Sequence, residues 1–324
     1  MIFTTTLNQM LVLVIFIAIG FLIQKCKLVP DNASTVASKI ENNLLIPALV
    51  LNALMYTENI TSNLLIILFG LGVVAVTMTV GFFIVRGMTK DAYMRTIYGY
   101  GIYFSNFSFM GNAVVSAIFP EHLSNYMLFT IPAQIIVFGW AVPFLLTPKQ
   151  DELLKEGETP VTKNFFQKFV KPFLNPTIIC VLLGLIFALT GFGSILKNND
   201  KVTFVSDVIE GLSGCMSPLA MILTGMIIAK YEFKQTLKNP AVYILTALRL
   251  IVFPLVFGFI ASTFITNESW MICLVCYLAM PLGLSSVIIP TAYGKDTSVA
   301  ATLALVSHVL CVATIPLVFM LLIG

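Results

Sequence analysis

The sequence predicts an all-α membrane protein of ten transmembrane helices in two sets of five. Three observations carry this reading: the chain is 58% hydrophobic and only 10% charged, its apolar residues fall into long runs, and its basic residues gather in alternate loops. At a mean hydropathy of +0.97 there is too little polar surface to cover an apolar interior in water, so the bilayer is the solvent. Strands could span it only as a closed barrel, and the unbroken apolar runs lack the alternation that a barrel needs.

A hydrocarbon slab takes about 20 apolar helical residues. The first span is expected over Leu7 to Leu22. The second, Leu44 to Met55, is short, so its helix should begin in the polar run Ser38 to Asn43, with those residues facing protein or water rather than lipid. Leu64 to Val85, Ile97 to Phe119 and Tyr126 to Leu146 complete a first set. Thr177 to Gly193, Val208 to Ala229, Ala241 to Ser262, Trp270 to Tyr293 and Ser298 to Ile323 form a second. The first span has no basic residues before it and no Ala-x-Ala cleavage pattern, so it is expected to stay in the protein.

Lys25, Lys27, Lys39, Arg86, Lys90, Arg95, Lys149, Lys155, Lys163, Lys168, Lys171, Lys230, Lys234, Lys238 and Lys295 all fall on one side of this stack. Only Lys197 and Lys201 fall on the other, and Arg249 lies within a span. Because basic loops stay in the cytoplasm, both termini are expected outside a plasma membrane. The six cysteines follow no metal-ligand spacing, and Cys273 with Cys276 reads as small apolar helix residues. No metal or cofactor is expected.

Residues 148–172 carry five Lys, four acidic residues and three prolines, the composition of a cytoplasmic linker. They divide a first repeat, 1–147, from a second, 173–324. An odd number of spans per half forces the second half to enter from the opposite side, so homologous halves would be inverted repeats. Met110-Gly111-Asn112-Ala113-Val114-Val115 followed by Pro120 has a counterpart in Leu282-Gly283-Leu284-Ser285-Ser286-Val287 followed by Pro290. Each falls in the fourth span of its half. Gly with hydroxyl and amide side chains at that depth indicates interrupted helices. Backbone freed by a break is tolerated only inside protein or beside a wet cavity, so the breaks nominate the binding site.

In the first break, Ser105, Asn106, Ser108, Gly111 and Asn112 place amides and hydroxyls at mid-membrane, where they could hold an anionic oxygen or bond neighbouring helices. A half-helix N-terminus there would add N–H groups and partial positive charge. In the second, Pro281 cannot donate to the helix ladder, and Gly283, Ser285 and Ser286 follow it, a set suited either to unwinding or to a simple kink. Arg249 should face a cavity, pair with an acid such as Glu41, Asp207 or Glu210, or snorkel. His308 could titrate, or serve as a hydrogen-bonded packing residue. No His-Glu-x-x-His, paired aspartates or phosphate-cradling loop is present, so neither an enzyme nor an ATP-driven pump is expected.

Nearly end to end, the chain resembles the auxin efflux carrier family, which includes plant auxin exporters and bacterial permeases associated with malate and related acids. The matching pieces are Gly20-Phe21-Leu22, Asn43-Leu44-Leu45-Ile46-Pro47-Ala48-Leu49, Ser105-Asn106, Phe109-Met110-Gly111, Asn175-Pro176-Thr177, Ala279-Met280-Pro281-x-Gly283, Tyr293-Gly294-Lys295-Asp296 and Thr314-Ile315-Pro316. The resemblance implies two inverted five-helix repeats with broken crossover helices 4 and 9, a scaffold domain from the first two helices of each, a transport domain that moves as an elevator, and a dimer. It also implies that Asn106 contacts substrate at one crossover, with Pro281 and Gly283 forming the other. The plant pattern has Pro where Ser105 stands, a Pro after the Met-Gly that is missing here, and a long cytoplasmic loop that 148–172 replaces. The expectation is a secondary transporter of a small organic acid anion, with Asn106, Gly111, Asn112, Arg249, Pro281, Gly283 and Ser285 at its site. Alternatives are Na+- or H+-coupled uptake of a larger amphipathic acid, as in the related bile acid symporters, and a membrane sensor that binds without transport. Nucleic acid is not an expected partner.

Overall fold

A computed structural model describes residues 2–56, 60–147, 174–199, 201–231, 233, 235–293 and 295–324. The expected linker, 148–172, lies outside the described residues, which are helical and contain no strand, only one isolated bridge. Among the described residues, six helical stretches are long and apolar enough to cross a membrane: Phe3–Lys25, Leu64–Met88, Pro120–Leu146, Thr203–Ile228, Pro240–Ser262 and Ser298–Leu322. The expected second, fourth, sixth and ninth spans are built from shorter or more polar pieces.

The first helix, α1, runs from Ile2 to Lys25. In the second expected span, α2 (Ala33–Ile40) passes through a wide turn, Glu41–Leu45, into α3 (Ile46–Leu54). This helix begins earlier than the polar run suggested, because Ser34, Ser38 and Glu41 all turn inward and are buried against protein. Pro47 in the first turn of α3 has no N–H to give, which suits it to the turn where the ladder changes spacing. α4 (Ile60–Met88) is followed by α5 (Ala92–Tyr103), whose N-terminus is capped by Asp91 Oδ1 accepting from Met94 N–H at 2.6 Å. After a break, the wide turn Phe107–Gly111 leads into α6 (Asn112–Ile118), and α7 (Leu123–Ile136) continues in wide turns to Leu146.

α8 (Pro176–Thr190) starts on Asn175, whose side chain accepts from Thr177 N–H. The sixth span was expected to continue through Gly193, but the chain bends by 81° into α9 (Phe192–Asn198). Gly191 makes the bend by adopting φ +68°, in the left-handed region that residues with a side chain resist. α10 (Thr203–Ile228) is long and continuous. α11 (Pro240–Ala247) and α12 (Phe253–Ser262) are joined by a wide turn, Leu248–Val252, that carries Arg249. α13 (Glu268–Ala279) and α14 (Ser285–Ala292) flank the second break, and α15 (Ser298–Leu322) closes the fold.

Small residues let the long helices approach closely, since hydrophobicity alone does not drive association in lipid. A β-carbon on Gly20 would run into the Ile222 carbonyl, and one on Gly225 into that of Ile17, so the α1–α10 contact depends on both glycines. Leu11, Ile15 and Leu22 on α1, Leu64, Leu68 and Leu71 on α4, and Phe259, Ile260 and Phe264 near the end of α12 point outward. These large apolar side chains belong against lipid. α13 is the opposite case: Ile272 to Ala279 is entirely buried, placing the second break at the centre of the protein.

Candidate functional site

The two breaks meet. Helix α5 ends at Tyr103 and Phe104 is extended; α13 ends at Ala279 and Met280 is extended with ψ 147°. The Asn106 N–H donates to the Pro281 carbonyl at 2.7 Å, and Ser105 faces Leu282 in an antiparallel bridge. Two short unwound segments thus satisfy one another deep in the protein, which is what hydrocarbon demands of a broken helix. Pro281 has no N–H to leave orphaned, and Ser286 Oγ donates to the Gly283 carbonyl at 2.9 Å.

The carbonyls at the C-terminal ends of α5 and α13 would carry partial negative charge into this centre. Arg249 meets them. Its guanidinium is fully buried and donates to the carbonyls of Ile102 (3.2 Å), Tyr277 (3.0 Å) and Met280 (3.3 Å), drawing on the fork geometry that lysine lacks. The snorkelling and acid-pairing alternatives therefore give way to a cap on two helix ends. With those ends neutralised, the opposite ends remain. The first turns after each break, Phe107 to Phe109 and Leu284 to Ser285, line a cavity of about 20 Å³ together with Asn42, Tyr100, Ser105, Asn106 and Gly283. That is room for little more than one water.

Asn106 is 2% exposed, and its Nδ2 lies 2.9 Å from His308 Nε2. His308 Nδ1 lies 2.7 Å from the Ala304 carbonyl. A carbonyl only accepts, so Nδ1 carries the proton and Nε2 receives the Asn106 amide, which fixes the direction of the Asn106 side chain. The neighbouring Ser307 Oγ accepts from Leu282 N–H at 3.4 Å, so consecutive residues of α15 hold both crossovers.

Of the residues nominated from sequence, Asn106, Gly283 and Ser285 line the cavity. Pro281 supplies the carbonyl that joins the segments, and Arg249 lies at the helix ends behind them. Gly111 sits beneath Tyr126, whose hydroxyl donates to the Phe107 carbonyl at 3.1 Å; a side chain at Gly111 would displace that hydroxyl. Asn112 is buried with neither amide atom partnered, as are the Ser105 and Ser108 hydroxyls. Asn42 and Tyr100 as cavity-lining residues, and the contact of His308 with Asn106, emerge only from the structure. The signal available for Asn42 was its place in a polar run inside a short span.

A larger cavity of about 350 Å³ adjoins this one through Asn42 and is lined by Ser34, Ser38, Lys39, Lys230 and Thr291. Burial lowers the pKa of the Lys230 ammonium, an effect that the charge of Asp31 opposes; its Nζ also donates to the Asp31 carbonyl at 2.5 Å. The lining of this vestibule therefore combines lysine charge with amide and hydroxyl groups. Among the described residues no group of His, Cys, Asp and Glu could hold a metal ion.

Apolar membrane-crossing helices around a buried polar crossover define a membrane transport protein. A family model described as membrane transport protein matches residues 5–319, so the chain belongs to this family of auxin efflux carrier-like proteins. No curated protein matches it.

Proposed function

We propose that this protein is a secondary carrier for a small organic acid anion, malate-like or another carboxylate, working by elevator-type alternating access in a plasma membrane with both termini outside. The observation that carries the reading is the electrostatic asymmetry of the crossover. Arg249 occupies the carbonyl ends of α5 and α13, while the N-terminal turns that follow the breaks face the cavity at Asn106. Helix N-termini favour anions, and amide and hydroxyl donors there add direction to the attraction. Asn106, Gly283 and Ser285 contact the carboxylate in this reading, with Ser108 beside them in the cavity wall and Asn112 beyond it as unspent polar groups.

The ten-span inverted repeat is supported by the pattern of packing. α1, the first span, packs on α10, the seventh; α8, the sixth, packs on α3, part of the second. The third span, α4, packs on α7, the fifth; α11 and α12, the eighth, pack on α15, the tenth. Exchanging the halves maps each contact onto another, as a two-fold pseudosymmetry requires. The vestibule lies on the side rich in lysine, which this reading takes as cytoplasmic, and the crossover cavity is nearly closed around its own side chains.

Flux of radiolabelled dicarboxylates, amino acids and aromatic acids into vesicles containing the purified protein tests this directly. Saturable uptake of one acid class, above that of empty vesicles and competed by its unlabelled form, is the expected result. Binding without flux would assign the protein as a sensor instead.

A further inference from the structure

Glu41 is the one buried carboxyl among the described residues, with 0% of its surface exposed. Neither of its oxygens has a hydrogen-bond partner. It opens the wide turn Glu41–Leu45, a departure from regular helix of the kind often found at functional sites. The turn packs against α8 and α10. No charge on these elements answers it: α10 has no titratable side chain from Met216 to Ile228, α3 has none, α8 has only Cys180, and Lys39 on α2 is exposed. Asp207, Glu210 and Cys215 lie toward the other end of α10, where Ser213 meets Asn52, about 16 Å of helix from Glu41. Beyond the near end of α10, Lys230 is engaged with Asp31.

An ionised carboxylate in that setting would cost several kcal/mol, so Glu41 holds a proton in this conformation. We propose that Glu41 is a proton-binding site that couples transport to pH, because protonation there and anion binding at the crossover favour one another. The inference rests on the carrier reading above and names the proton as the ion to which its anion affinity is linked. Asn42, the next residue, lines both the vestibule and the crossover cavity, so the turn that Glu41 opens borders the path while the Glu41 carboxyl itself is buried in protein. The interior also contains the fully buried cation Arg249. With Glu41 neutral, that charge favours an anion. With Glu41 ionised, the two oppose each other across a low-dielectric interior, and the attraction weakens. Linkage makes the effect reciprocal: a bound anion increases the proton affinity of Glu41 by the same factor that the proton increases anion affinity. The proton arrives from water, forms an O–H bond on the carboxylate and returns to water when that bond dissociates; no other bond changes.

The test uses the purified full-length protein with radiolabelled malate as probe. In vesicles, the wild-type KM for malate should rise about fivefold or more from pH 6 to pH 8, while Glu41→Gln, which mimics the protonated form, should keep a low KM at both. A wild-type KM that ignores pH, or a Glu41→Gln KM that tracks it as wild type does, would overturn the assignment. Absence of wild-type malate flux at every pH would instead count against malate transport itself. An infrared spectrum separates the two failures without transport: wild type at pH 7 should show the carbonyl band of a protonated carboxylic acid that Glu41→Gln lacks, and a wild type without that band overturns the Glu41 site whatever the flux.

Discussion

At the first crossover Asn106 spends its main-chain N–H on Pro281 and its side-chain amide on His308, with Ser105, Ser108 and Asn112 close by. At the second, Pro281 has no N–H, Gly283 has no side chain, and the segment is fixed by main-chain contacts and by Ser286 folding back on Gly283. One break presents side-chain chemistry and the other presents backbone. Both rest on α15, through His308 and Ser307, and both have their carbonyl ends closed by Arg249. Truncating side chains should therefore harm the first crossover through recognition, whereas adding atoms should harm the second through geometry.

The largest effect should come where the two crossovers share a support. Arg249→Met leaves three buried carbonyls without their partner, a loss on the order of 3 kcal/mol or more, and should sharply lower the detergent melting midpoint. A midpoint equal to wild type would mean that the helix ends are satisfied without the guanidinium. Gly283→Ala tests the backbone side of the comparison. The added carbon would lie 3.0 Å from the Tyr100 ring and 3.3 Å from the carbonyls of Phe104 and Ser105, so the neighbours must give by a few tenths of an ångström, and overpacking of this kind costs about 1–3 kcal/mol. Reduced stability together with reduced flux is expected; normal values for both would show the crossover to be looser than its contacts suggest. The smallest effect should follow His308→Ala, which leaves Asn106 intact but unheld. A rise in KM of about tenfold, corresponding to roughly 1.4 kcal/mol, with partial recovery in His308→Gln, would mark it as a positioning residue. Equal loss in both variants would indicate a packing role.

Much of this arrangement was legible in the sequence because lipid is a strict solvent. Pro281, Gly283 and the Ser105-Asn106 pair stand out at a depth where regular helices carry Leu or Ile, and apolar length located the long helices. Arg249 resisted reading because its partners are main-chain carbonyls distant in sequence, at Ile102, Tyr277 and Met280, and sequence patterns do not label carbonyls. His308 reads as an isolated packing residue until α15 lies beside the first break. The wide turns at Glu41–Leu45 and Leu248–Val252 leave no composition signature, although each presents one ionisable side chain to the interior. The bend at Gly191 was hidden by the apolar run that continues past it.

Equilibrium binding of the transported acid to purified wild type and to Asn106→Ala, with melting midpoints measured on the same samples, probes the anion site most directly. Saturable binding in wild type and its loss in a variant that melts at the same temperature is the expected result. Undiminished binding in Asn106→Ala would place the anion somewhere other than the crossover.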